Sequence, residues 1–508
     1  MSASTLTALF SPASLAVIAA CTLYGTFIGA MPGLTATMAV ALLVPFTYFM
    51  DPLIAISAIV ATTTTAIFAG DVPGTLMRIP GTPASAAYVE DAYRLSRAGR
   101  SRSTLMVSLF AACIGGLVGV ALLALIAPQL ARVAVQFSSF ETFWLACLGL
   151  SCAVLTSNGS VAKSFSSLFL GLFIATIGID VAVGHPRFTF GNYELFDGIS
   201  FIPAIIGLFA LSEILRSAQI GHRDQPANAV QESFSKALHE AALVLRRFKR
   251  NIARSSVLGT LIGALPGAGA DIAAWICYAI SRRFSRHPER YGTGYIEGVT
   301  DGGSANNAAI GGAWTPALVF GIPGDSVTAI AIGILLLNGM SPGPQIFTES
   351  PELVHTLYGA FALSNLAMIP AGLLVIMASS QVVRIPRRVL MPCVLLFSLV
   401  GAYAITNSVI AIWTVLALGV LGYAMEANGF PLAPAILGIV LGTIVEENFM
   451  TSMMKAQGDL LAFFDRPWAA ALGTLTLLLW ALLLTRGIYE SVQRRRHPSP
   501  SSETETYP

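Results

Sequence analysis

Apolar runs separated by short polar stretches fill the chain almost from end to end. A helix needs about 20 mostly apolar residues to cross a bilayer. Runs of that kind occupy 104–128, 141–157, 163–181, 199–215, 354–378, 389–408, 409–427, 431–447 and 468–486. Four other apolar stretches, 15–50, 53–90, 254–281 and 303–340, are interrupted by Gly and Pro. A broken helix survives at membrane depth only where protein or a watery cavity satisfies the freed backbone. The pattern therefore predicts an all-α polytopic membrane protein whose chemistry concentrates in the four interrupted stretches.

Charge gives this pattern a direction. No Lys or Arg precedes Arg78, and basic clusters then fall at Arg94–Arg102, Arg216–Arg254, Arg282–Arg290, Arg384–Arg388 and Arg494–Arg496. Loops rich in Lys and Arg stay in the cytoplasm. The loops 129–140, 182–198, 341–353 and 446–466 are poor in both residues and belong outside. The two sets alternate without conflict, which places the N-terminus outside and the C-terminus in the cytoplasm. Residues 217–253 form the one long polar stretch, with Arg246, Arg247, Lys249 and Arg250. It reads as a cytoplasmic linker carrying an amphipathic helix along the membrane surface. The tail 488–508 reads as disordered.

Composition removes other classes. Of the 508 residues, 55% are hydrophobic and 11% charged, against roughly 25% charged in soluble domains. A net charge of +2 gives no reason to expect nucleic acid. The six cysteines, Cys21, Cys113, Cys147, Cys152, Cys277 and Cys393, all lie in apolar stretches without a CxxC pair, so they read as small buried hydrophobes. The N-terminus lacks the basic region of a cleaved signal peptide. His185, His222, His239, His287, His355 and His497 sit in loops or near segment ends, with no HExxH and no nucleophile–base pairing. That argues against an enzyme and against a resident cofactor or metal.

The chain repeats itself. GTFIGAMPG at 25–33 returns as GTLIGALPG at 259–267, 234 residues on, with seven of nine positions identical. RIPGTPAS at 78–85 is echoed, in the same order, by GIPGDSVT at 321–328. The loop after the first IPG is basic (RLSRAGRSR), whereas MSPGPQIFTESPE after the second has no Lys or Arg. The repeats, 1–216 and 254–487, are therefore expected to be inverted. Inverted repeats with interrupted helices at matching positions are characteristic of secondary transporters.

The candidate residues cluster at these motifs. Pro32-Gly33 with Thr35, and Pro266-Gly267 with Gly269, would form the tips of re-entrant helical hairpins. The helix that starts after each tip offers free N–H groups to an anion; the alternative is a kink that packs tightly. Around the IPG turns, Pro80, Gly81 and Thr82 in the first half and Pro323, Gly324 and Ser326 in the second are substrate-site candidates. Ser and Thr there could equally bond their own backbone. Asn306 and Asn307 are costly in a membrane unless paired: one is a candidate to bind ligand or cation while the other bonds a neighbouring helix, with bonding between helices as the alternative role. Arg78 could hold a carboxylate bidentately or pair with Asp71. Asp271, Asp325 and Thr328 are candidates for a coupling Na⁺ or H⁺, with helix capping as the alternative. Glu446-Glu447-Asn448 reads as a partner-docking site or a solvated helix end.

Taken in order, GxxxGxxPG with IPGTPAS, then GxxIGxLPGAGA, SANNAAIGGA and GIPG, resemble the large membrane subunit of tripartite tricarboxylate transporters, the TctA type. VEENFMTSMMKAQGDLLAFFDRP is similar to that family's C-terminal signature. The resemblance spans nearly the whole chain. It implies ion-gradient-driven uptake of a carboxylate with two partners, a small four-helix membrane subunit and a periplasmic solute-binding protein that sets much of the substrate choice. The family pattern has an Asn-like residue before the first IPG where this chain has Arg78, which implies a variant group with its own substrate. A stand-alone ion-coupled carrier would need the same residues. An ATP-driven permease would need a partner's nucleotide site, since no GxxxxGK[ST] occurs.

Overall fold

The computed structural model describes residues 9–32, 34–156, 160–180, 184–219, 232–266, 269–382 and 406–496, with a few positions between 392 and 403. Gly33, Gly267, most of the expected span 389–408 and the tail from 497 lie outside the described residues. The chain is helical almost throughout. Two strands, Gly178–Ile179 and Pro186–Arg187, pair antiparallel and are two residues long each. Seven helices among the described residues are long and apolar enough to cross a membrane. The protein is an all-α polytopic membrane protein.

Short polar signals start the helices. Ser11 caps α1 (Pro12–Gly29), Thr35 caps α2 (Ala36–Thr47), and Asp51 with Pro52 opens α3 (Pro52–Ala69). α3 runs into α4 (Asp71–Met77), and the first IPG turn leads to α5 (Val89–Leu95) and the long α6 (Ser101–Ala134). α7 (Ser139–Thr156), α8 (Val161–Ala175), and α9 (Phe201–Ile205) with α10 (Ser212–Gln219) complete the first half. The second half opens with α11 (Phe234–Arg247), α12 (Lys249–Gly263) and α13 (Gly269–Phe284). It continues through α14 (Ile296–Phe320), the second IPG turn and α15 (Ser326–Leu337) to α16 (Pro351–Val382). α17 (Val409–Ala427), α18 (Leu432–Lys455) and α19 (Pro467–Arg496) follow.

Three expectations about boundaries are corrected. α12 begins at Lys249, so the last residues of the expected linker 217–253 belong to the first arm of the second hairpin. The span expected over 163–181 ends at Ala175, because the chain turns into the small sheet. α18 carries through Glu446 and Glu447 to Lys455, so these acids lie within a helix rather than in a loop. The polar stretch also holds a helix, α11. Its buried Ala237 and Ala241 face inward, and it docks on α6, where Arg100 pairs with Glu240 and Ser103 N–H donates to Glu232 at 2.9 Å.

Tight seams of small residues join the helices. A Cβ at Gly25 would lie 2.5 Å from the Thr62 carbonyl oxygen, and at Gly29 2.4 Å from that of Ala66, so α1 lies backbone-to-backbone on α3. The second half repeats this: Gly259 and Gly263 of α12 meet the carbonyls of Ala305 and Ala309 on α14 at 2.6 and 2.4 Å. Gly115 and Gly119 of α6 meet Ser304 and Ala308 on another face of α14. Lipid gives helices no hydrophobic reason to associate, so such close approach supplies the packing energy. The halves also exchange partners: α14 packs on α6 of the first half, and α3 packs on α16 of the second. A separate core forms from α7, α8, α18 and α19 around Leu145, Leu150, Leu437 and Leu441, and it takes in Ile322 of the second IPG turn.

Candidate substrate site

The two IPG turns are built alike, position for position, at a spacing of 243 residues. α4 ends at Arg78, which takes the left-handed conformation (φ 62°, ψ 26°); α14 ends at Gly321 with φ 68°, ψ 17°. Ile79 N–H reaches the Pro73 carbonyl at 3.4 Å, and Ile322 N–H that of Pro316 at 3.3 Å. Gly81 sits against Gly70 and Gly324 against Ala313, so that a Cβ would fall 2.3 and 2.5 Å from the facing Cα atoms. Thr82 and Ser85 then cap each other: Thr82 N–H donates to Ser85 Oγ (3.1 Å) and Ser85 N–H to Thr82 Oγ1 (3.0 Å). Asp325 and Thr328 do the same at 2.9 and 2.7 Å, and this pair starts α15 as a capping box. Local bonding thus occupies Thr82, Ser85, Asp325 and Thr328.

Each hairpin meets the turn of the other half. Thr37 Oγ1 on α2 lies 2.9 Å from Ser326 Oγ at the second turn. Trp275 on α13 donates its indole N–H to the Pro83 carbonyl at the first turn, at 3.0 Å. Pro32 is buried and Thr35 caps α2 through Met38 N–H. Pro266 lies beside Ile322 at Gly149 of α7, and Gly269 folds back on Ile262 and Gly263. Asp271 falls in the first turn of α13.

Asn306 and Asn307 both bond to neighbouring segments of the protein. Asn307 Nδ2 donates to the Thr64 carbonyl (3.1 Å), joining α14 to α3 at positions again 243 apart. Asn306 Nδ2 instead faces the first turn, 3.3 Å from Tyr88 Oη and 3.4 Å from Thr82 Oγ1.

Arg78 does not pair with Asp71. Its side chain is 61% exposed and holds Glu90 at 2.7 Å, because the left-handed turn swings it outward. Asp71 is instead buried at 5% exposure, where Tyr88 Oη donates to Oδ1 at 2.8 Å and Ser108 Oγ donates to Oδ2. Sequence reasoning named Asp71 only as a partner for Arg78. The signal for more was its place in an apolar run; nothing local marked Ser108, 37 residues away. A second missed acid, Asp91, is fully buried on α5 and collects Tyr278 Oη (2.7 Å) and the N–H groups of Gly294 (2.8 Å) and Tyr295 (2.9 Å), fastening the two halves. Glu446 pairs with Arg187 at 2.8 Å beside a cavity of about 340 Å³ between the 177–201 segment, α15 and α18. The Glu446 bond pushes the Arg187 guanidinium above its ordinary range.

The family whose sequence model matches residues 15–437 is described as the "Tripartite tricarboxylate transporter TctA family". The chain belongs to that family. Relatives include an "uncharacterized 52.8 kDa protein in TAR-I ttuC' 3'region" of Agrobacterium vitis, 33% identical over 450 residues, which are 89% of each chain. A second protein of the same organism, "in TAR-II ttuC' 3'region", is 35% identical over 195 residues, covering 38% of this chain and 81% of its own. No solved structure matches. TctA proteins are transporters, and membership implies a system with a binding protein and a small membrane subunit. The paired turns and hairpins are thus the candidate transport machinery of a TctA chain.

Proposed function

We propose that this protein is the translocating subunit of a three-part, ion-gradient-driven importer of carboxylates, with the substrate passing between the two pairs of hairpin tip and IPG turn. The observation that carries this reading is the crossed pairing: Thr37 against Ser326, and Trp275 against Pro83. Two like turns, each closed by the other half's hairpin, suit a carrier that exposes one pair while shielding the other. The halves 1–216 and 254–487 are then inverted repeats, in keeping with the opposite charge of the loops after the two turns. The N-terminus lies outside and the C-terminus in the cytoplasm of the inner membrane.

In this reading the hairpin helix starts after Pro32-Gly33 and Pro266-Gly267 offer N–H groups to the carboxylate. The turn residues Pro80, Gly81, Pro323 and Gly324 shape the cleft, and Asn306 with Ser326 and Thr35 supplies polar contacts. Arg78, exposed at the mouth, draws the anion in. The coupling ion is Na⁺ or H⁺. The binding protein delivers the substrate from the periplasm.

The test is uptake of labelled di- and tricarboxylates into cells carrying the protein, with each partner gene present or deleted, in Na⁺ and Na⁺-free buffer. Uptake that needs the binding protein and follows an imposed ion gradient is the expected result. Uptake that persists without the binding protein would leave a stand-alone carrier.

A further inference from the structure

A carboxyl group buried in a membrane protein is costly as an anion unless a cation or hydrogen-bond donors compensate it. Asp71 has donors but, among the described residues, no cation. The charged and titratable groups on the elements around it all face elsewhere. Arg78, at the end of its own helix, holds Glu90, which also takes Arg94. Asp91 on α5 binds the 292–295 loop and Tyr278, and Tyr93 on the same helix makes no hydrogen bond to Asp71. On α6, Arg102 binds the Glu232 carbonyl and Cys113 the Asn365 carbonyl; Arg132 holds Gln129. Glu297 and Asp301 on α14 turn to Asn251 and Ser255 of α12. Among the described residues only the hydroxyls of Tyr88 and Ser108 reach the carboxyl.

The site also borders a small cavity and has a connection to the other half. A cavity of about 10 Å³, room for one water, is lined by Asp71, Thr75, Ser85, Tyr88 and Ser108. Ser85 belongs to the first IPG turn, whose Pro80 and Pro83 are exposed. Tyr88 Oη has one hydrogen. While Asp71 is anionic that hydrogen must point at the carboxylate, leaving the oxygen to accept from Asn306 of α14, 3.3 Å away. A proton on Asp71 supplies its own donor and releases the Tyr88 hydrogen, so the Tyr88–Asn306 and Asn306–Thr82 contacts change with it. An alkali cation would need a shell of several oxygens; both oxygens of this carboxylate already face hydroxyl donors.

We propose that Asp71 is the protonation site that couples transport to a proton gradient, with Tyr88 and Asn306 carrying its charge state to the second half. This rests on the transport reading above. The proton enters from the side of higher proton activity, neutralises the carboxylate, and leaves on the opposite side after the turn has changed access.

The experiment uses the reconstituted membrane subunits with their binding protein and a panel of labelled di- and tricarboxylates. Two signals are read: accumulation under an inward proton gradient, and counterflow exchange without a gradient. Asp71→Asn is expected to keep counterflow and lose accumulation, about tenfold for one proton per pH unit of gradient. Tyr88→Phe removes a donor to the anion, so protonation becomes easier. The pH of half-maximal uptake should move up by about one unit, and this decides the matter if Asp71→Asn does not assemble. Gradient-driven accumulation by Asp71→Asn, an unmoved midpoint in Tyr88→Phe, or wild-type accumulation that follows Na⁺ and ignores pH would each overturn the proposal. The Na⁺ result would leave the transport reading standing; a wild type with no carboxylate counterflow would remove both.

Discussion

The two IPG turns share a backbone and differ in surroundings. In the first, Arg78, Pro80 and Pro83 are exposed; in the second, residues 321–325 are all buried, and Ile322 is packed into the α7–α8–α18–α19 core. The same glycine contacts and the same reciprocal caps occur in both. The turn itself is therefore the constant, and exposure is set by what lies against it. At the left-handed position the second turn uses Gly321, which accepts φ > 0 at little cost, and the first uses Arg78, which does not. An arginine is tolerated there because its side chain points out of the packed interior and finds Glu90.

Substitutions can separate what the turns share from what they do not. The largest effect should come from the glycines held against a facing helix. Gly81→Val and Gly324→Val each drive a side chain into backbone about 2.5 Å away or less, and each should cost roughly 3–5 kcal/mol. Both variants should show strongly lowered melting temperatures in detergent; a mild effect in either would mean that the two turns are not built alike. Next comes an exchange at the left-handed position. Gly321→Arg places a charge in a buried turn and should cost about 3 kcal/mol or more, whereas Arg78→Gly relieves a strained φ and loses an exposed ion pair, a net change within about 1 kcal/mol. Equal melting temperatures for the two would mean that exposure does not decide which residue this position tolerates. Smaller still, Asp325→Ala and Thr82→Ala each remove one side of a cap and should cost about 1 kcal/mol, with the buried Asp325 the larger of the two. Smallest is Glu90→Ala, at about 0.5 kcal/mol, measured as the same thermal shift at low salt.

Much of this arrangement could be read from the chain. Apolar runs gave the helical membrane fold, and GTFIGAMPG with GTLIGALPG stand out as like segments because seven of nine residues are identical. The IPG turns matched less visibly. Thr82 and Ser85 correspond to Asp325 and Thr328, different residues that perform the same capping, and Arg78 corresponds to Gly321. A hydroxyl and a carboxylate can both accept from a backbone N–H, so identity was lost where function in the fold was kept. What the chain could not show was contact over distance. That α2 meets the second turn and α13 the first, and that Asp71 finds Ser108 rather than Arg78, depends on how α3, α6 and α14 pack.

That packing bears on how the chain enters the bilayer. α14 carries Glu297, Asp301, Asn306 and Asn307 among glycines and alanines, is buried along nearly its whole length, and is not among the seven helices apolar enough to cross alone. A segment of that kind does not partition from the translocon into lipid by itself. Its insertion must wait for a protein surface to receive it, and α6, synthesised earlier and grooved by Gly115 and Gly119, is that surface. The central helix of the second half is thus placed by its partner rather than by the membrane, and a lesion in α6 should surface first as a failure of topogenesis.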